Sequence, residues 1–247
     1  MTGELIIDGF MTGAQVIKLK NVSKIYQVGD QPVYALANIT EHIKPGEYVA
    51  IMGPSGSGKS TLLNVLGCLL RPTEGSYQLN GQEINTLNDS ELSKLRQSVI
   101  GFIFQSFHLI PRLTAAGNVE LPMIFAGIAP QVRQQRVTQA LEAVGLTARS
   151  HHRPDQLSVG QRQRVVIARA TVMNPRLILA DEPTGNLDSE SGKQILGLLD
   201  QLYALGHTLI IVTHDINVAH RAERVLVISD GHIVQRTSSC NLTPESL

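Results

Sequence analysis

A glycine-rich string, GPSGSGKST, spans residues 53–61 and contains the residue types that bind phosphate. Its glycines lack a Cβ atom, so the backbone can fold into a loop whose N–H groups converge on an anion. The apolar run TLLNVLGCLL overlaps the end of the string and predicts a helix, whose positive N-terminus faces the same anion. The preceding run, EYVAIMG, is typical of a buried strand. Strand, loop and helix in this order predict a site for the phosphates of a nucleotide.

Two side chains of this string have distinct roles in such a site. Lys59 is expected to reach the β- and γ-phosphate oxygens, and the Ser60 hydroxyl is expected to hold Mg²⁺. The other residues of the string are expected to surround the phosphates. The candidate phosphate-binding residues are Gly53, Pro54, Ser55, Gly56, Ser57, Gly58, Lys59, Ser60 and Thr61.

A pair of acids ends a second apolar strand further along the chain. Asp181 closes the run LILAD, and Glu182 follows it directly. An acid at the carboxyl end of a strand lies in the crevice where open α/β sheets bind ligands, which suits a carboxylate that holds Mg²⁺. The second acid is then free to align or deprotonate an attacking water. Two solvated acids at a strand end are the alternative, and the phosphate loop upstream disfavours it.

Composition excludes several classes of protein. Lys and Arg together number 21, as do Asp and Glu, so the net charge is zero and offers no electrostatic footprint for nucleic acid. The two cysteines, Cys68 and Cys240, predict free thiols rather than a disulfide framework. The sequence contains no apolar run of membrane-spanning length and no secretion signal at its start, where Met11 is an alternative first residue.

The order of strand-like and helix-like runs predicts one α/β domain interrupted by a helical insertion. Alternating residues from 16 to 40 predict antiparallel strands, and strands typical of a parallel sheet resume after residue 158. The predicted division is an N-terminal extension (1–15), one domain (16–236) and a short polar tail (237–247). Within the domain, the core with its antiparallel subdomain takes up 16–105 and 158–236, and the helical subdomain takes up about 106–157.

Six motifs in order carry a resemblance to a known family. They are GPSGSGKS (Walker A), Gln105 (Q-loop), LSVGQ at 157–161 (signature), LILADE at 177–182 (Walker B with its glutamate), NLD at 186–188 (D-loop) and His214 (H-loop). The chain resembles the nucleotide-binding subunits of ATP-binding cassette (ABC) transporters from about residue 16 to residue 234. The resemblance implies an α/β fold, namely a P-loop NTPase (RecA-like) core with an N-terminal antiparallel β subdomain and an inserted α-helical subdomain.

The resemblance also implies roles around ATP and Mg²⁺, the expected cofactors. Tyr26 would stack on adenine. Gln105 would link the γ-phosphate, Mg²⁺ and the helical subdomain, and the His214 imidazole would contact the γ-phosphate. The implied metal-binding residues are Ser60, Gln105 and Asp181. The implied catalytic residues are Glu182, His214, Gln105 and Lys59.

A second cassette is implied as well, since two cassettes of this family sandwich two ATP molecules head to tail. Ser158, Gly160 and Gln161 would cap the γ-phosphate bound to the other subunit, and Asp188 would pair across the interface. Val159 stands where the family usually has glycine. A β-branched residue resists positive φ and adds bulk, so this departure predicts crowding near the phosphate.

The stretch from 104 to 127, FQSFHLIPRLTAAGNVELPMIFAG, is similar to cassettes of the macrolide-efflux and lipoprotein-release type. Such cassettes serve a separate permease in the inner membrane, in some cases with a periplasmic adaptor. The resemblance therefore implies export and a place on the cytoplasmic face of that membrane. Residues 106–125 are the expected contact with the permease, although Phe107, Leu109 and Ile110 are equally compatible with the core.

Two other functions remain for a protein with a phosphate loop. A soluble cassette ATPase in DNA repair or translation is disfavoured by the neutral charge, and 247 residues leave no room for a coiled-coil insertion or a second cassette. A P-loop kinase or GTPase leaves LSVGQ and His214 unexplained, and the sequence lacks an NKxD-type string that reads guanine.

Overall fold

The structure is a computed structural model that describes residues 16–242. The expected N-terminal extension with Met11, and residues 243–247 of the expected tail, lie outside the described residues. Among the helices of residues 16–242, none is long and apolar enough to cross a membrane.

A four-stranded antiparallel sheet forms from the N-terminal part of the described chain. β1 (Ile17–Val28) and β2 (Gln31–Ile43) make a long hairpin, which the alternating sequence predicts. β4 (Glu74–Leu79) pairs with β1, and the short β5 (Gln82–Glu83) pairs with β4. The strand order is therefore β2-β1-β4-β5.

A second sheet of six strands lies at the centre of the molecule. It consists of β3 (Tyr48–Met52), β6 (Ile100–Ile103), β7 (Leu177–Asp181), β8 (Thr208–Val212), β9 (Arg224–Ser229) and β10 (His232–Ser238). The strand order is β10-β9-β3-β8-β7-β6, with β10 antiparallel at one edge and the other strands parallel. Every residue of β3 and β8 is buried, because parallel strands in this setting are covered on both faces.

Helices cover both faces of this sheet. They are α1 (Lys59–Leu66), α2 (Asp89–Val99), α3 (Ala115–Phe125), α4 (Pro130–Ala143), α5 (Val159–Thr171), α6 (Ser189–Ala204) and α7 (Ile216–Ala219). The predicted insertion contains α3 and α4, and both pack against α5. Because α5 also packs against β6, it joins the inserted helices to the central sheet.

The apolar core lies in two layers, one on each face of the six-stranded sheet. Along β3, Tyr48, Ala50 and Met52 face the layer that contains α5 and α6. Val49 and Ile51 face the opposite layer, which contains α1 and the antiparallel sheet. This alternation follows from the period of two in a strand.

The C-terminal end of the described chain is part of the folded domain. β10 continues to Ser238, and Leu242 is buried in the layer that contains α5 and α6. The sequence predicts the end of the domain at residue 236 and a short polar tail after it. Among the described residues the fold continues to Leu242, because this apolar residue packs into the core.

Candidate functional site

The glycine-rich loop connects β3 to α1, where the sequence predicts it. Gly53, Gly56 and Gly58 have φ values of 144°, 80° and 106°, a backbone conformation that residues with side chains rarely adopt. A Cβ atom at Gly53 would collide with the carbonyl oxygen of Ile228, and one at Gly58 with that of Ala35. Close packing of the loop against β9 and β2 therefore requires both glycines.

A cleft of about 410 Å³ opens beside this loop, at the carboxyl ends of the parallel strands. It brings together residues that are far apart in the sequence. The predicted residues in its wall are Gly53, Ser55, Gly56, Gly58, Lys59, Ser60, Thr61, Gln105, Asp181, Glu182 and His214. Pro54 and Ser57 belong to the loop but not to this wall, and Ser57 is buried, with its carbonyl oxygen accepting from the N–H of Gly231.

The Lys59 ammonium lies over the phosphate loop. Its Nζ donates to the carbonyl oxygens of Gly53 at 2.9 Å and Pro54 at 2.7 Å. These bonds fold the side chain back over the loop, so the positive charge lies beside the N–H groups that precede α1. The Lys59 charge and the amide dipoles of the loop thus favour a phosphate at the same place.

Asp181 lies half-buried at the end of β7, on the wall of the cleft. Burial and the negative charge of Glu182 raise its pKa, while the Ser60 hydroxyl and the Lys59 ammonium oppose that rise. A divalent cation beside Asp181 would favour the ionised carboxylate and offset this cost. The side-chain oxygens of Ser60, Asp181 and Gln105 suit Mg²⁺, which binds few protein ligands and takes the others from phosphate and water.

Glu182 contacts His214 directly, a contact that the sequence does not predict. Oε1 of Glu182 lies 2.8 Å from Nδ1 of His214, and the histidine side chain is 74% exposed towards the cleft opening. Glu182 has φ of 44°, and its N–H donates to the carbonyl oxygen of Val212 at 2.9 Å. The two residues meet because they follow β7 and β8, which are neighbours in the sheet. The order of strands in the sheet brings the two residues together, and the sequence alone does not show that order.

Gln105 follows β6 and is held in the cleft by a second motif. Its carbonyl oxygen accepts from Nδ2 of Asn186 at 3.1 Å. Its side-chain amide lies so close to Gly185 that a Cβ atom there would be 2.9 Å from Nε2. The Q-loop and the D-loop are therefore in contact, and sequence spacing alone gives no sign of this.

Tyr26 lies on β1, outside the wall of the cleft. It pairs across the hairpin with Val33 and is 39% exposed. One contact of its ring is with Lys24, whose Nζ lies 5.4 Å from the ring centroid. Because Ala35 of the same hairpin lines the cleft, the tyrosine lies next to the site without closing it.

The signature residues lie on a different surface, at the start of α5. Ser158 caps the helix, since its Oγ accepts from the N–H of Gln161, while Oε1 of Gln161 accepts from the N–H of Ser158. A Cβ atom at Gly160 would meet the Ser191 side chain of α6. Asp188 caps α6. Its carboxylate accepts hydrogen bonds from the N–H groups of Ser191 and Glu190, and these bonds lower its pKa. The signature and D-loop motifs thus form one surface at the N-termini of two adjacent helices.

The backbone at Val159 does not have the conformation that favours glycine. Val159 is the first residue of α5 and has ordinary helical geometry, with no positive φ. A glycine is therefore not needed here for backbone conformation. The backbone is right-handed here because the helix begins at this residue. The crowding expected near the phosphate of a second cassette stays a prediction.

Comparison with known proteins gives a consistent result. The family model described as "ABC transporter" matches residues 36–185. The macrolide export ATP-binding/permease protein MacB of Bartonella henselae is 53% identical over 219 residues, which cover 89% of this chain and 33% of the relative. The uncharacterized ABC transporter ATP-binding protein YknY of Bacillus subtilis is 52% identical over 223 residues, covering 90% of this chain and 97% of the relative. The chain thus spans about a third of the MacB relative but almost all of YknY.

Solved structures agree with these relatives. A relative named MJ0796 comes from Methanocaldococcus jannaschii. The solved structure of this cassette is described as dimeric, in a post-hydrolysis state and bound to ADP and Pi. It matches with a TM-score of 0.85 and 49% identity, covering 90% of this chain and 98% of that chain. The α/β fold and the resemblance to cassettes of the macrolide-efflux type are confirmed. This chain belongs to the ABC transporter family.

Proposed function

We propose that this chain binds and hydrolyses ATP as the cassette subunit of an export transporter, and that it drives a separate membrane permease. The observation that carries the proposal is the single cleft in which the phosphate loop, Asp181 and the Glu182–His214 pair meet. Membership of the family supports it, and the MacB relative is named for both an ATP-binding and a permease function.

In this proposal the loop and α1 bind the triphosphate. Backbone N–H groups and the Lys59 ammonium surround the phosphate oxygens, and Tyr26 stacks on the adenine. Mg²⁺, when bound, neutralises phosphate charge, and Ser60, Gln105 and Asp181 would hold it.

Hydrolysis depends on Glu182 in this proposal. The carboxylate orients the attacking water and accepts its proton, which is the role of a general base. The bond from His214 to Oε1 fixes one carboxylate oxygen and leaves the other for the water. His214 is also exposed at the opening of the cleft, where it can contact the γ-phosphate.

A second copy of the cassette completes the site. Ser158, Gly160 and Gln161 do not line the cleft of their own subunit, so they are available to cap a nucleotide held by another one. Asp188 lies on the same surface. The dimeric structures of the MJ0796 cassette support a homodimer, which we propose to be head to tail.

A separate groove is our candidate for the permease contact. It measures about 710 Å³ and lies between α2, the turn after β6, α3 and α5. Its wall includes the apolar residues Leu69, Phe102, Phe104, Leu121, Phe125 and Met173 and the basic residues Lys94, Arg96 and Arg169. Phe125 is 75% exposed, whereas Phe107 and Leu109 pack partly against the core. In this proposal His108 and α3 form the part of 106–125 that faces the permease. Phe107 and Leu109 pack against the core, whereas Ile110 is 39% exposed.

Such a subunit works on the cytoplasmic face of the inner membrane, where ATP is available, and a periplasmic adaptor completes the exporter. The alternative, a soluble cassette in DNA repair or translation, has less support. The net charge is zero, and the MacB relatives are named for macrolide export.

The substitution Glu182→Gln tests the proposal. Without the base, ATP stays bound and the contacts between two cassettes persist, so we expect a stable dimer in size-exclusion chromatography with ATP. We expect hydrolysis to fall by a factor on the order of 100 or more, because general-base catalysis contributes that much.

Glu142→Gln provides the matched control, since Glu142 is exposed on α4. It makes the same chemical change away from the cleft and leaves both dimerisation and turnover unchanged. Full-rate hydrolysis by a monomeric Glu182→Gln protein would exclude Glu182 as the base.

A further inference from the structure

The turn that follows β6 has an unusual backbone. Two consecutive residues with large side chains, Phe107 and His108, have φ values of 58° and 47°. Residues with a Cβ atom rarely adopt this left-handed conformation, and bulky ones least of all. Such a turn persists only where its surroundings hold it in place.

The bonds within the turn are too few to do so. The N–H of Phe107 donates to the carbonyl oxygen of Phe104 at a long 3.3 Å, and that of His108 donates to Ser106 at 2.6 Å. Neither bond involves the carbonyl groups of Phe107 and His108. Those carbonyl groups need a partner from another element.

Arg169 of α5 supplies that partner. One guanidinium nitrogen donates to the carbonyl oxygen of His108 at 2.6 Å, and the other donates to that of Phe107 at 2.8 Å. Both bonds are charge-assisted, and the planar fork of the guanidinium fits two adjacent acceptors. Arg162, one of the other basic residues of α5, lies 5.3 Å from the centroid of the Phe107 ring and adds a weaker contact.

The clamped turn separates the two functional surfaces of the molecule. Gln105 lines the nucleotide cleft, whereas Phe104 and His108 line the groove proposed for the permease. The His108 ring packs edge-on against Phe104, with centroids 4.8 Å apart. Movement of this turn would therefore shift groups on both surfaces together.

We infer that Arg169 is a positioning residue for Gln105: its fork holds the turn from 104 to 108, so that the glutamine amide stays in the nucleotide cleft. The inference rests on the proposed ATPase function, in which Gln105 acts near the γ-phosphate. Arg169 also lines the groove, so a partner seated there contacts the clamp itself.

Arg169→Met and Arg169→Lys test this inference. Methionine keeps an apolar stem of similar length but donates no hydrogen bond, and lysine keeps the charge without the fork. We expect kcat for ATP to fall on the order of tenfold in the methionine variant, with the lysine variant in between and KM nearly unchanged, because misplacing a group costs rate rather than binding. Arg164→Met is the control, since Arg164 lies on the same helix beside Gly145, away from the turn.

A double-mutant cycle with Gln105→Ala separates positioning from a structural role. If Arg169 acts through Gln105, Arg169→Met changes kcat by less than about twofold in the Gln105→Ala background. A double variant whose kcat falls by the product of the two single effects overturns the inference. If the methionine variant does not fold, the lysine variant enters the same cycle.

Hydrogen exchange provides a readout that does not need ATPase activity. We expect amides 104–110 to exchange about tenfold faster in Arg169→Met, with no change in the other segments. The Arg164→Met protein should exchange like the wild type over these residues. An inactive wild-type protein would contradict the proposed function alone, whereas unchanged exchange over 104–110 would contradict the clamp.

Discussion

Glu182 shows how backbone conformation places a reactive group. Its φ of 44° lies in the left-handed region, which a residue with a long side chain rarely occupies. The N–H bond to Val212 holds this conformation from the neighbouring strand. As a result, the carboxylate turns away from the direction of β7 and lies against His214. Strain at this residue is consistent with a functional position, since strained residues cluster at active sites.

Tyr26→Ala tests the nucleobase contact. Removing the ring removes a stacking surface, worth about 1–3 kcal/mol per base in proteins that bind single-stranded nucleic acids. We expect weaker binding of both ATP and GTP, by about tenfold, with turnover at saturating ATP retained. Isothermal titration with each nucleotide gives the dissociation constants.

Val33→Ala is a suitable comparison, because Val33 lies opposite Tyr26 in the hairpin and is also exposed. It reduces apolar area in the same place without removing an aromatic ring. Unchanged nucleotide affinity in Tyr26→Ala would refute the stacking role.

Most of the cleft could be predicted from local sequence, since each motif carries its own chemistry. The loop glycines need positive φ, and Asp181 ends a buried strand. The contacts between motifs could not be predicted in this way. Glu182 meets His214, and Asn186 meets Gln105, only because of the order of strands in the sheet. That order depends on packing between distant segments, which local patterns do not specify.

At the scale of elements, the close approach of α5 to β6 fixes the clamp on the turn. Gly101 on β6 makes this approach possible, because a Cβ atom there would collide with the carbonyl oxygen of Ala170. The backbone of Gly101 does not have positive φ, so the requirement comes from space alone. The sequence predicts both elements from their apolar patterns. The sequence gives no measure of the distance between α5 and β6.

Gly101→Ala tests this contact between helix and strand. The added methyl group meets backbone atoms, which cannot rotate away, so α5 must shift outwards. We expect the free energy of unfolding to fall by about 1–3 kcal/mol, the usual cost of overpacking a core. Denaturation in urea measures it, and ATP turnover should fall as well because Arg169 moves with α5.

The matched control is Gly197→Ala on α6. A Cβ atom at Gly197 meets nothing within 4 Å. Alanine also favours a helix by about 1 kcal/mol over glycine, so this variant should be slightly more stable than the wild type. If both alanine variants have the same effect on stability, the close approach at Gly101 is not limiting.

At the scale of the whole molecule, one buried carboxylate joins the two sheets. Glu41 of β2 is 4% exposed and accepts from Arg224 of β9 at 2.9 Å and from Arg236 of β10 at 2.8 Å. Arg224 also bonds to Glu47, which precedes β3. The antiparallel sheet is thus tied to the edge of the central sheet.

The pH dependence of stability follows from the charge of Glu41. Burial raises its pKa, but the hydrogen bonds and charge of Arg224, with the N–H of His42 and the Arg236 guanidinium, outweigh burial and leave the pKa below the ordinary value of 4.5. A carboxyl group with a lowered pKa stabilises the folded state above its unfolded pKa. That contribution is lost as the pH falls below 4.5 and through the lower pKa of the folded state.

Glu41→Gln should therefore lower the free energy of unfolding at pH 7 and flatten its decline in acid. Removing the charge leaves Arg236 without its carboxylate partner and Arg224 with Glu47 alone. Breaking a buried pair costs at most about 3 kcal/mol here, since both arginines keep some contact with water. Urea denaturation from pH 7 down to pH values below 4.5 measures both effects. Glu142→Gln, which changes an exposed carboxylate, should follow the wild-type curve. If the two variants have the same pH profile, the sheets are held together by apolar packing and not by Glu41.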